Sequence, residues 1–249
     1  ETESDGAAFD SGETSNGYCY AYTPVLPETD ADGNSIQLAD GVELPMIYVL
    51  IGKQQLMVTS NSISYLTCNE NGRNWKTATC ESAIEVTSAD TEWGTSDTES
   101  WYVARGTITI SGRVTVKGTV HLILEDSCNL TVDGGIDVSD GTGEITIYAQ
   151  SEGSKVGCLT AKATADSYAG IGSGLDMENS GKIIINGGYI ISSTTTERSV
   201  AAAIGGREIY CGDVVINGGM VKATSGGGGA GIGNGFESMP TSEMVVIIN

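Results

Sequence analysis

The chain is poor in several residue types on which other protein classes depend. Its 249 residues include 4 prolines, 2 phenylalanines and 1 histidine, and 12 Lys and Arg stand against 32 Asp and Glu. So few prolines exclude a Pro-rich linker, and two phenylalanines exclude a core built on that aromatic side chain. A single histidine and the lack of a Cys-x-x-Cys pair argue against a zinc site.

The shortage of basic residues gives a formal net charge of −20. Nucleic acids are bound by clustered Lys and Arg, so we expect no nucleic-acid partner. The same charge disfavours anionic membranes and polyanionic glycans. The longest apolar run, residues 44–51, is far shorter than the ~20 residues of a membrane helix, so we expect no membrane insertion.

Glycine, in contrast, is abundant and falls into repeated phrases. It makes up 35 of 249 residues, about twice the usual ~7% share. Ile-Asn-Gly-Gly occurs at 185–188 and 216–219, and Ile248-Asn249 would begin a third copy, so the Asn intervals are 31 and 32 residues. A phrase of Ala, Gly and Ile recurs nearly in step, at 169–172, 203–206 and 230–233. Such repeats indicate stacked units that bury their apolar faces against one another.

The segments between the glycines alternate as strands do and show no helical period. Alternation places Ile183 and Ile185 inward in one coil, and Val214 and Ile216 inward in the next. A coil of this length holds three short strands, each pairing with its counterpart one coil on. We therefore predict an all-β fold, a parallel β-helix (solenoid) with a small β-rich N-terminal cap or subdomain. The Asn of each phrase should stack on its neighbours, with Asp133 in the earlier equivalent place.

Three regions are predicted along the chain. They are an acidic, partly mobile segment at 1–41, a short-strand cap or small β subdomain at 42–85, and the β-helix at 86–249 with its last coil incomplete. Ten Asp or Glu residues precede position 45, and such a composition disfavours ordering. The open last coil would expose unpaired strand edges, so we expect end-to-end self-association through it.

The six cysteines allow fifteen complete pairings. Cys68 and Cys80 flank a predicted hairpin turn at 69–74 and are the best candidates for a disulfide. Free thiols are the alternative, because the sequence contains no further constraint on the pairing.

Residues 63–249 carry a resemblance to a known family. The phrases that carry it are the aromatic opening at Trp93 and 101–103, the strands at 107–110, 113–116 and 120–124, and the Ala-Gly-Ile-Gly coils. They resemble secreted glycine-rich repeat surface proteins of anaerobic gut-type bacteria. The resemblance implies a right-handed parallel β-helix and an extracellular or cell-surface location. It implies no catalytic residues, because the family has none established.

Two motifs resemble cofactor sites. The Gly-rich stretches 170–174 and 231–235 resemble nucleotide-binding loops, but no helix follows either of them, so we interpret them as turns. The Asp-rich stretch 30–34 resembles a calcium loop but lacks the bidentate Glu at the expected spacing. We therefore predict no cofactor and no metal site, with calcium as the one ion left open.

Catalysis by a β-helix would need converging groups, such as two carboxylates for glycoside hydrolysis. The outward candidates His121, Glu125, Asp126, Asp137 and Glu144 show no recurring pair. We therefore expect a protein without catalytic residues. A polysaccharide lyase or glycoside hydrolase of the β-helix class is the alternative, and a structural spacer is the second alternative.

Carbohydrate binding is the function that the outward residues favour. Sugar rings stack on exposed aromatic side chains flanked by polar groups. We predict Trp93, Trp101 and Tyr189 as binding residues, with Tyr189 outward at the place that Cys158 and Met220 take in adjoining coils. The predicted function is thus that of a non-catalytic exported surface protein that adheres to, or binds, polysaccharide or host glycans.

Overall fold

The structure of the protein is a computed structural model, and every regular element that it describes is a β-strand. The chain divides into two compact units, residues 1–59 and residues 60–249. The described residues are 8–14, 17–23, 47–51, 62–69, 71–139, 143–174, 181–195, 197–206, 212–235 and 246–249.

The first unit contains a three-stranded antiparallel sheet. Its strands are β1 (Ala8–Thr14), β2 (Gly17–Thr23) and β3 (Ile47–Ile51), with β2 in the middle. Ala8 pairs with Thr23 at one end of β1, and Tyr18 of β2 pairs with Ile51 of β3. Residues 8–14 therefore form a paired strand within the segment for which the composition predicted partial mobility.

The second unit contains twenty strands among its described residues. They are β4 (Ile63–Thr67), β5 (Lys76–Cys80), β6 (Ile84–Glu85), β7 (Glu92–Trp93), β8 (Glu99–Ala104), β9 (Thr107–Ile110), β10 (Val114–Val116), β11 (Thr119–Leu124), β12 (Asn129–Val132), β13 (Ile136–Asp137), β14 (Glu144–Ala149), β15 (Cys158–Ala163), β16 (Ile171–Gly172), β17 (Lys182–Ile185), β18 (Tyr189–Thr194), β19 (Ile204–Gly205), β20 (Val214–Ile216), β21 (Met220–Thr224), β22 (Ile232–Gly233) and β23 (Val246–Ile248).

Eighteen of these strands pair in parallel and form three sheets. The seven-stranded sheet has the order β6-β8-β11-β14-β17-β20-β23, the six-stranded sheet β7-β10-β13-β16-β19-β22, and the five-stranded sheet β9-β12-β15-β18-β21. From β8 onward the chain visits the three sheets in turn, so each strand pairs with its counterpart one coil later. The remaining two strands, β4 and β5, form an antiparallel hairpin.

This arrangement corrects the predicted fold class. The strand-rich character with parallel sheets is confirmed, but the right-handed parallel β-helix with an N-terminal cap is not what the structure presents. It presents parallel stacks of five, six and seven strands, which resemble a parallel-sheet solenoid. The hairpin at 63–80 lies against the outer face of a sheet, and the three-stranded sheet belongs to a separate unit. The prediction erred because it extended the regular interval of the last coils over the whole repeat region.

One register position of the seven-stranded sheet shows how irregular the coils are. In the first three coils, Val103 pairs with Ile123 and Ile123 pairs with Tyr148. Ile147, which precedes Tyr148, continues the register to Ile185, Ile216 and Ile248, and each of these three isoleucines directly precedes an asparagine. We call this series the outer column: Val103, Ile123, Tyr148, Asn186, Asn217 and Asn249. Its intervals are 20, 25, 38, 31 and 32 residues, so only the last two coils keep the repeat that the sequence displays.

The amides of the outer column form a ladder, as predicted. Asn217 Nδ2 donates to Asn186 Oδ1 at 2.8 Å, and Asn249 Nδ2 donates to Asn217 Oδ1 at 2.6 Å. The prediction that Asp133 occupies the earlier equivalent place is wrong, because Asp133 follows β12 of the five-stranded sheet. Tyr148 occupies that place instead.

The interior between the three sheets is mainly aliphatic, with Trp93 and Tyr102 among its buried side chains. The predicted inward rows are confirmed, since Ile183, Ile185 and Val214 are at most 1% exposed and Ile216 is 8% exposed. Full burial of such a side chain stabilises a fold by about 1.5–3 kcal/mol. The interior therefore holds the stack together, and only the outer faces of the sheets are left for binding.

The β4–β5 hairpin lies along the outer column. At its root, Ile63, Cys80 and Ala83 form a buried cluster with Val103, Ile123 and Tyr148. Towards its tip, residues 69–75, a Cβ added to Gly218 would lie 3.0 Å from the Trp75 ring, and a Cβ added to Gly72 would overlap Asn249. The hairpin therefore spans six strands of the seven-stranded sheet, from β8 to β23.

The hairpin register also overturns the predicted disulfide. Ile63 pairs with Cys80 and Thr67 with Lys76, so Cys80 lies at the root and Cys68 lies towards the tip. Five residues of extended strand separate their positions by about 16 Å, whereas disulfide-bonded Cα atoms lie within about 7 Å. Both cysteines are free, and so are Cys128 and Cys158.

Candidate functional site

An aromatic cluster lies under the root of the hairpin. The Trp101 ring stacks on His121 with centroids 4.2 Å apart and an interplanar angle of 16°. Tyr65 of the hairpin meets Trp101 at 5.0 Å and Tyr148 at 4.8 Å. These residues share one face because Trp101 and His121 are register partners on β8 and β11, and Tyr148 follows on β14. We call Tyr65, Trp101, His121 and Tyr148 the aromatic cluster.

Hydrogen bonds fix the polar atoms of this cluster. His121 Nε2 lies 3.2 Å from Glu99 Oε1, and His121 Nδ1 lies 3.0 Å from the Tyr148 hydroxyl. Trp101 Nε1 donates to Glu99 Oε1 at 3.0 Å. With a neutral ring, Nε2–H donates to the carboxylate and Nδ1 accepts from the tyrosine, so both ring nitrogens are satisfied.

Burial sets the protonation states in the cluster. It lowers the pKa of His121, while Glu99 and Glu144 act in the opposite direction. Burial raises the pKa of Tyr148 well above its ordinary value, with smaller contributions from Tyr65 and the same two carboxylates. Tyr148 therefore stays protonated at neutral pH and serves as a hydrogen-bond donor. The cluster holds the hairpin in place, and its groups are suited to a structural role and not to nucleophilic attack.

A groove of about 340 Å³ opens beside the other half of the hairpin. Leu66 and Trp75 of the hairpin line it, and so does Met220, the first residue of β21. Trp75 is 38% exposed and Met220 is 64% exposed. The groove therefore presents an indole that is fixed on one side by the sheet and accessible on the other.

The floor of the groove consists of two stacked glycine pairs, residues 187–188 and 218–219. Gly188 has φ +99° and Gly219 has φ +86°, which other residues rarely adopt. A Cβ on Gly187 would lie 2.7 Å from the Ala149 side chain, and a Cβ on Gly219 would lie 2.6 Å from the Gly188 carbonyl oxygen. No larger residue fits at these positions, so the floor is bare backbone.

Polar groups line one end of the groove. Ser151 Oγ donates to the Asp126 carboxylate at 2.8 Å, which leaves its lone pairs able to accept. The Asn186 amide is held in the ladder, and Glu152 is exposed. Glu152 is the one charged side chain among the described lining residues. The groove thus combines an aromatic wall, a flat floor and hydrogen-bond acceptors.

The three residues predicted to bind carbohydrate lie in three different environments. Trp93 has no exposed surface and donates from Nε1 to Asp90 Oδ2 at 2.9 Å. Trp101 is half-buried in the aromatic cluster. Tyr189 lies on the outer face of the five-stranded sheet between Cys158 and Met220, the neighbours that the sequence predicted. The structure does not bring the three rings together, and we leave Trp93 out of the site.

Two of the residues weighed for catalysis, Glu125 and Asp137, are engaged by arginines of neighbouring coils. Arg113 contacts Asp137 Oδ2 at 3.3 Å and donates to the carbonyl oxygens of Gly134, Ala169 and Gly172. Its burial lowers the pKa of the guanidinium, an effect that Asp137 opposes. Glu125 accepts from Arg105 at 3.1 Å. These contacts tie neighbouring coils to one another.

Two further expectations concern ions and membranes. In the part of the chain that the structure describes, no group of three or more His, Cys, Asp or Glu could hold a metal ion. The calcium-like stretch at 30–34 lies outside the described residues. A search of the described residues for a helix with the length and apolar character to cross a membrane finds none.

Sequence reasoning missed Trp75 and the glycine floor. The contact between Trp75 and Gly218 joins residues 143 positions apart, so no local pattern could reveal it. The available signal was an aromatic residue beside a hairpin turn, at a place where loops carry function.

Comparisons with family models, with curated proteins and with solved structures find no match to this chain. The resemblance to glycine-rich repeat surface proteins therefore stays a prediction, and the function must be argued from the geometry.

Proposed function

We propose that this chain is a non-catalytic carbohydrate-binding protein, and that its ligand lies in the groove beside Trp75. The observation that carries the proposal is an accessible indole above a floor of bare backbone, with polar acceptors at one end. A sugar ring has an apolar face that packs on an aromatic side chain and hydroxyls that need hydrogen-bond partners. The groove offers both kinds of contact.

The flat floor supports this proposal independently of the indole. Close packing leaves no room for a Cβ at the glycine pairs, and Gly188 and Gly219 have positive φ, so the floor stays bare backbone that a sugar ring can approach. The wall is rigid as well, because the root of the hairpin is held by the buried cluster around Ile123. A preformed wall and floor reduce the ordering cost of binding.

Absence of catalysis is the second part of the proposal. Glycoside hydrolysis uses two carboxyl groups across the scissile bond. The described lining of the groove contributes one, Glu152. The nearby Asp126 carboxylate accepts from Ser151 and is occupied by that contact.

Export to the cell surface is the third part, and it rests on the family resemblance of residues 63–249. Antibody labelling of intact native cells tests it. We expect labelling without permeabilisation; signal that appears only after permeabilisation contradicts the surface assignment.

Association of copies through the last coil also stays a proposal. Ile247 and Ile248 of β23 are 42% and 71% exposed. An apolar edge of this kind can pair with another strand. Light scattering should show a mass that rises with concentration, and Ile248→Lys should abolish the rise; a constant monomer mass for the unmodified chain contradicts the proposal.

Affinity electrophoresis and calorimetry against soluble glycans test the binding function. We expect Trp75→Ala to weaken binding by about tenfold or more, because ring stacking and buried area are both lost. Tyr168→Ala is the matched control, since the Tyr168 ring lies over Arg113 outside the lining of the groove, and this variant should bind like the unmodified protein. Binding that is unaffected by Trp75→Ala, or a chain that binds no glycan, contradicts the proposal.

A further inference from the structure

We infer that the groove takes an uncharged glycan chain that lies along the stacking direction of the coils. This inference rests on the proposed function and deepens it by naming the ligand class and its orientation. Three features of the described residues carry it: the direction of the hairpin wall, the number of coils in the floor, and the charge of the lining.

The hairpin fixes the direction of the groove. Its root contacts Ile123 and Tyr148, and its tip lies beside Gly218 and Asn249, so it runs from coil to coil along the outer column. The wall formed by Leu66 and Trp75 is parallel to that direction. A ligand chain that crossed the sheet along its strands would meet this wall, whereas a chain that follows the stacking direction would not.

The floor fixes the length of the bound segment. It comprises the turns at 187–188 and 218–219, and the segment 149–156 of the preceding coil. Strands in successive coils are about 4.8 Å apart, so three levels span about 10 Å. The cavity of about 340 Å³ is at the lower end of the usual range for small-molecule sites. These dimensions suit a short run of sugar units rather than a single large ligand.

The lining selects against anionic sugars. Its described residues contribute one charged side chain, Glu152, and no Lys or Arg. The chain as a whole carries a formal net charge of −20. A uronate or sulfate placed here would lose hydration without gaining a cationic partner, and it would be repelled by Glu152.

The hydrogen-bonding groups of the lining also favour an uncharged sugar over an anionic one. Ser151 Oγ donates to Asp126 and therefore faces the groove as an acceptor, and the Glu152 carboxylate has only acceptor atoms. Sugar hydroxyls can donate to both groups. A carboxylate on the sugar has no hydrogen to donate, so it cannot form the hydrogen bonds that a sugar hydroxyl forms with these two groups.

Calorimetry with matched oligosaccharides tests the inference. The probes are neutral oligomers of glucose, galactose and mannose, one to six units long, and oligouronates of glucuronate, galacturonate and mannuronate of equal length. We expect at least one neutral series to bind, with an affinity that rises over the first two or three units and then levels off. Its uronate counterpart should bind about tenfold more weakly or worse at low salt, and the gap should narrow as salt screens the repulsion.

Glu152→Gln sharpens the test, because it removes the charge and keeps the size of an exposed side chain. We expect it to narrow the gap between neutral and uronate ligands without changing the melting temperature. Uronates that bind as tightly as neutral chains at low salt overturn the inference but leave the proposed function standing. A panel in which nothing binds, or in which Trp75→Ala makes no difference, overturns the proposed function itself.

Discussion

The two halves of the hairpin rest on the same register position of the same sheet, yet they meet it in different ways. At the root, the outer column consists of Val103, Ile123 and Tyr148, and the hairpin closes on it without a gap. At the tip, the column consists of three asparagines bonded to one another, and a groove opens beside it. The residue at this repeated position therefore changes from an apolar side chain buried under the hairpin to an amide beside an open groove.

The difference also separates stability from function. Apolar side chains at the root are removed from water and stabilise the contact by about 25 cal/mol per Å² of buried apolar area. The amides at the tip satisfy one another along the stack and contribute less to holding the hairpin. The glycines beside them pack so closely against neighbouring atoms that no Cβ fits, and they form the floor of the groove. Substitutions of the apolar residues at the root should have the largest effect on folding, and substitution of Trp75 at the tip should have the largest effect on binding.

The largest expected effect is that of Ile123→Asp at the root. Ile123 is fully buried between the sheet and the hairpin, so the variant places an unpaired charge in an apolar environment. We expect a loss of about 4 kcal/mol or more in the free energy of unfolding. Denaturant titration followed by circular dichroism measures it.

The matched control is Ile84→Asp, at a position that is 57% exposed. It should change stability by no more than about 0.5 kcal/mol. Equal midpoints for Ile123→Asp and the unmodified chain would show that the root is not the apolar anchor described above.

The next largest effect is that of Asn217→Ala in the amide ladder. The variant removes the partner of Asn186 Oδ1 and that of Asn249 Nδ2 together. Asn249 is exposed, whereas Asn186 is buried. A buried amide oxygen that loses its amide donor costs about 1–3 kcal/mol, so we expect a loss of that size. Asn71→Ala in the exposed turn is the control and should leave the melting temperature unchanged; similar losses for the two variants would refute a specific ladder.

Whether a feature of the fold could be predicted from the sequence depends on how far apart along the chain its contacting residues lie. Strand alternation correctly placed Ile183 and Ile185 inward, because period-two patterning is a local property. The ladder was predictable because the last two asparagine intervals are nearly equal. Alternation did not reveal that Trp93 faces the interior, where its register partner Val116 is also buried.

The rest of the site depends on distances along the chain that no local pattern contains. The regular β-helix was wrong because the earlier coils contain 20, 25 and 38 residues, so the repeat of the last coils cannot be extended backwards. The Cys68–Cys80 disulfide was wrong because turn position does not fix hairpin register. The groove required knowing that the hairpin folds back over strands more than 100 residues later.

A smaller loss of stability should follow when the pH is lowered, because His121 lies at the root of the hairpin. The pKa of His121 is lowered in the folded chain by burial, so the unfolded chain, with a pKa near 6.5, takes up the proton more readily. The stability that His121 contributes is therefore complete above pH 6.5 and is lost as the pH falls towards the folded pKa. Glu99 and Glu144 limit the loss, because both favour the charged ring.

Melting temperatures measured from pH 7.5 to pH 5.5 check this prediction. The chain has one histidine, so His121→Gln should flatten the profile in this window, where ordinary carboxylates stay ionised. An equally steep profile for the variant would mean that protonation of His121 does not affect the stability of the fold.

Fluorine NMR of the chain labelled with 5-fluorotryptophan tests the central claim most directly. The three tryptophans report on three places: Trp93 in the interior, Trp101 in the aromatic cluster and Trp75 in the groove. Single Trp→Phe variants assign the signals. On addition of a neutral oligosaccharide that the protein binds, the account predicts that the Trp75 signal shifts while those of Trp93 and Trp101 stay in place. A shift of the Trp101 signal with an unmoved Trp75 signal would contradict it.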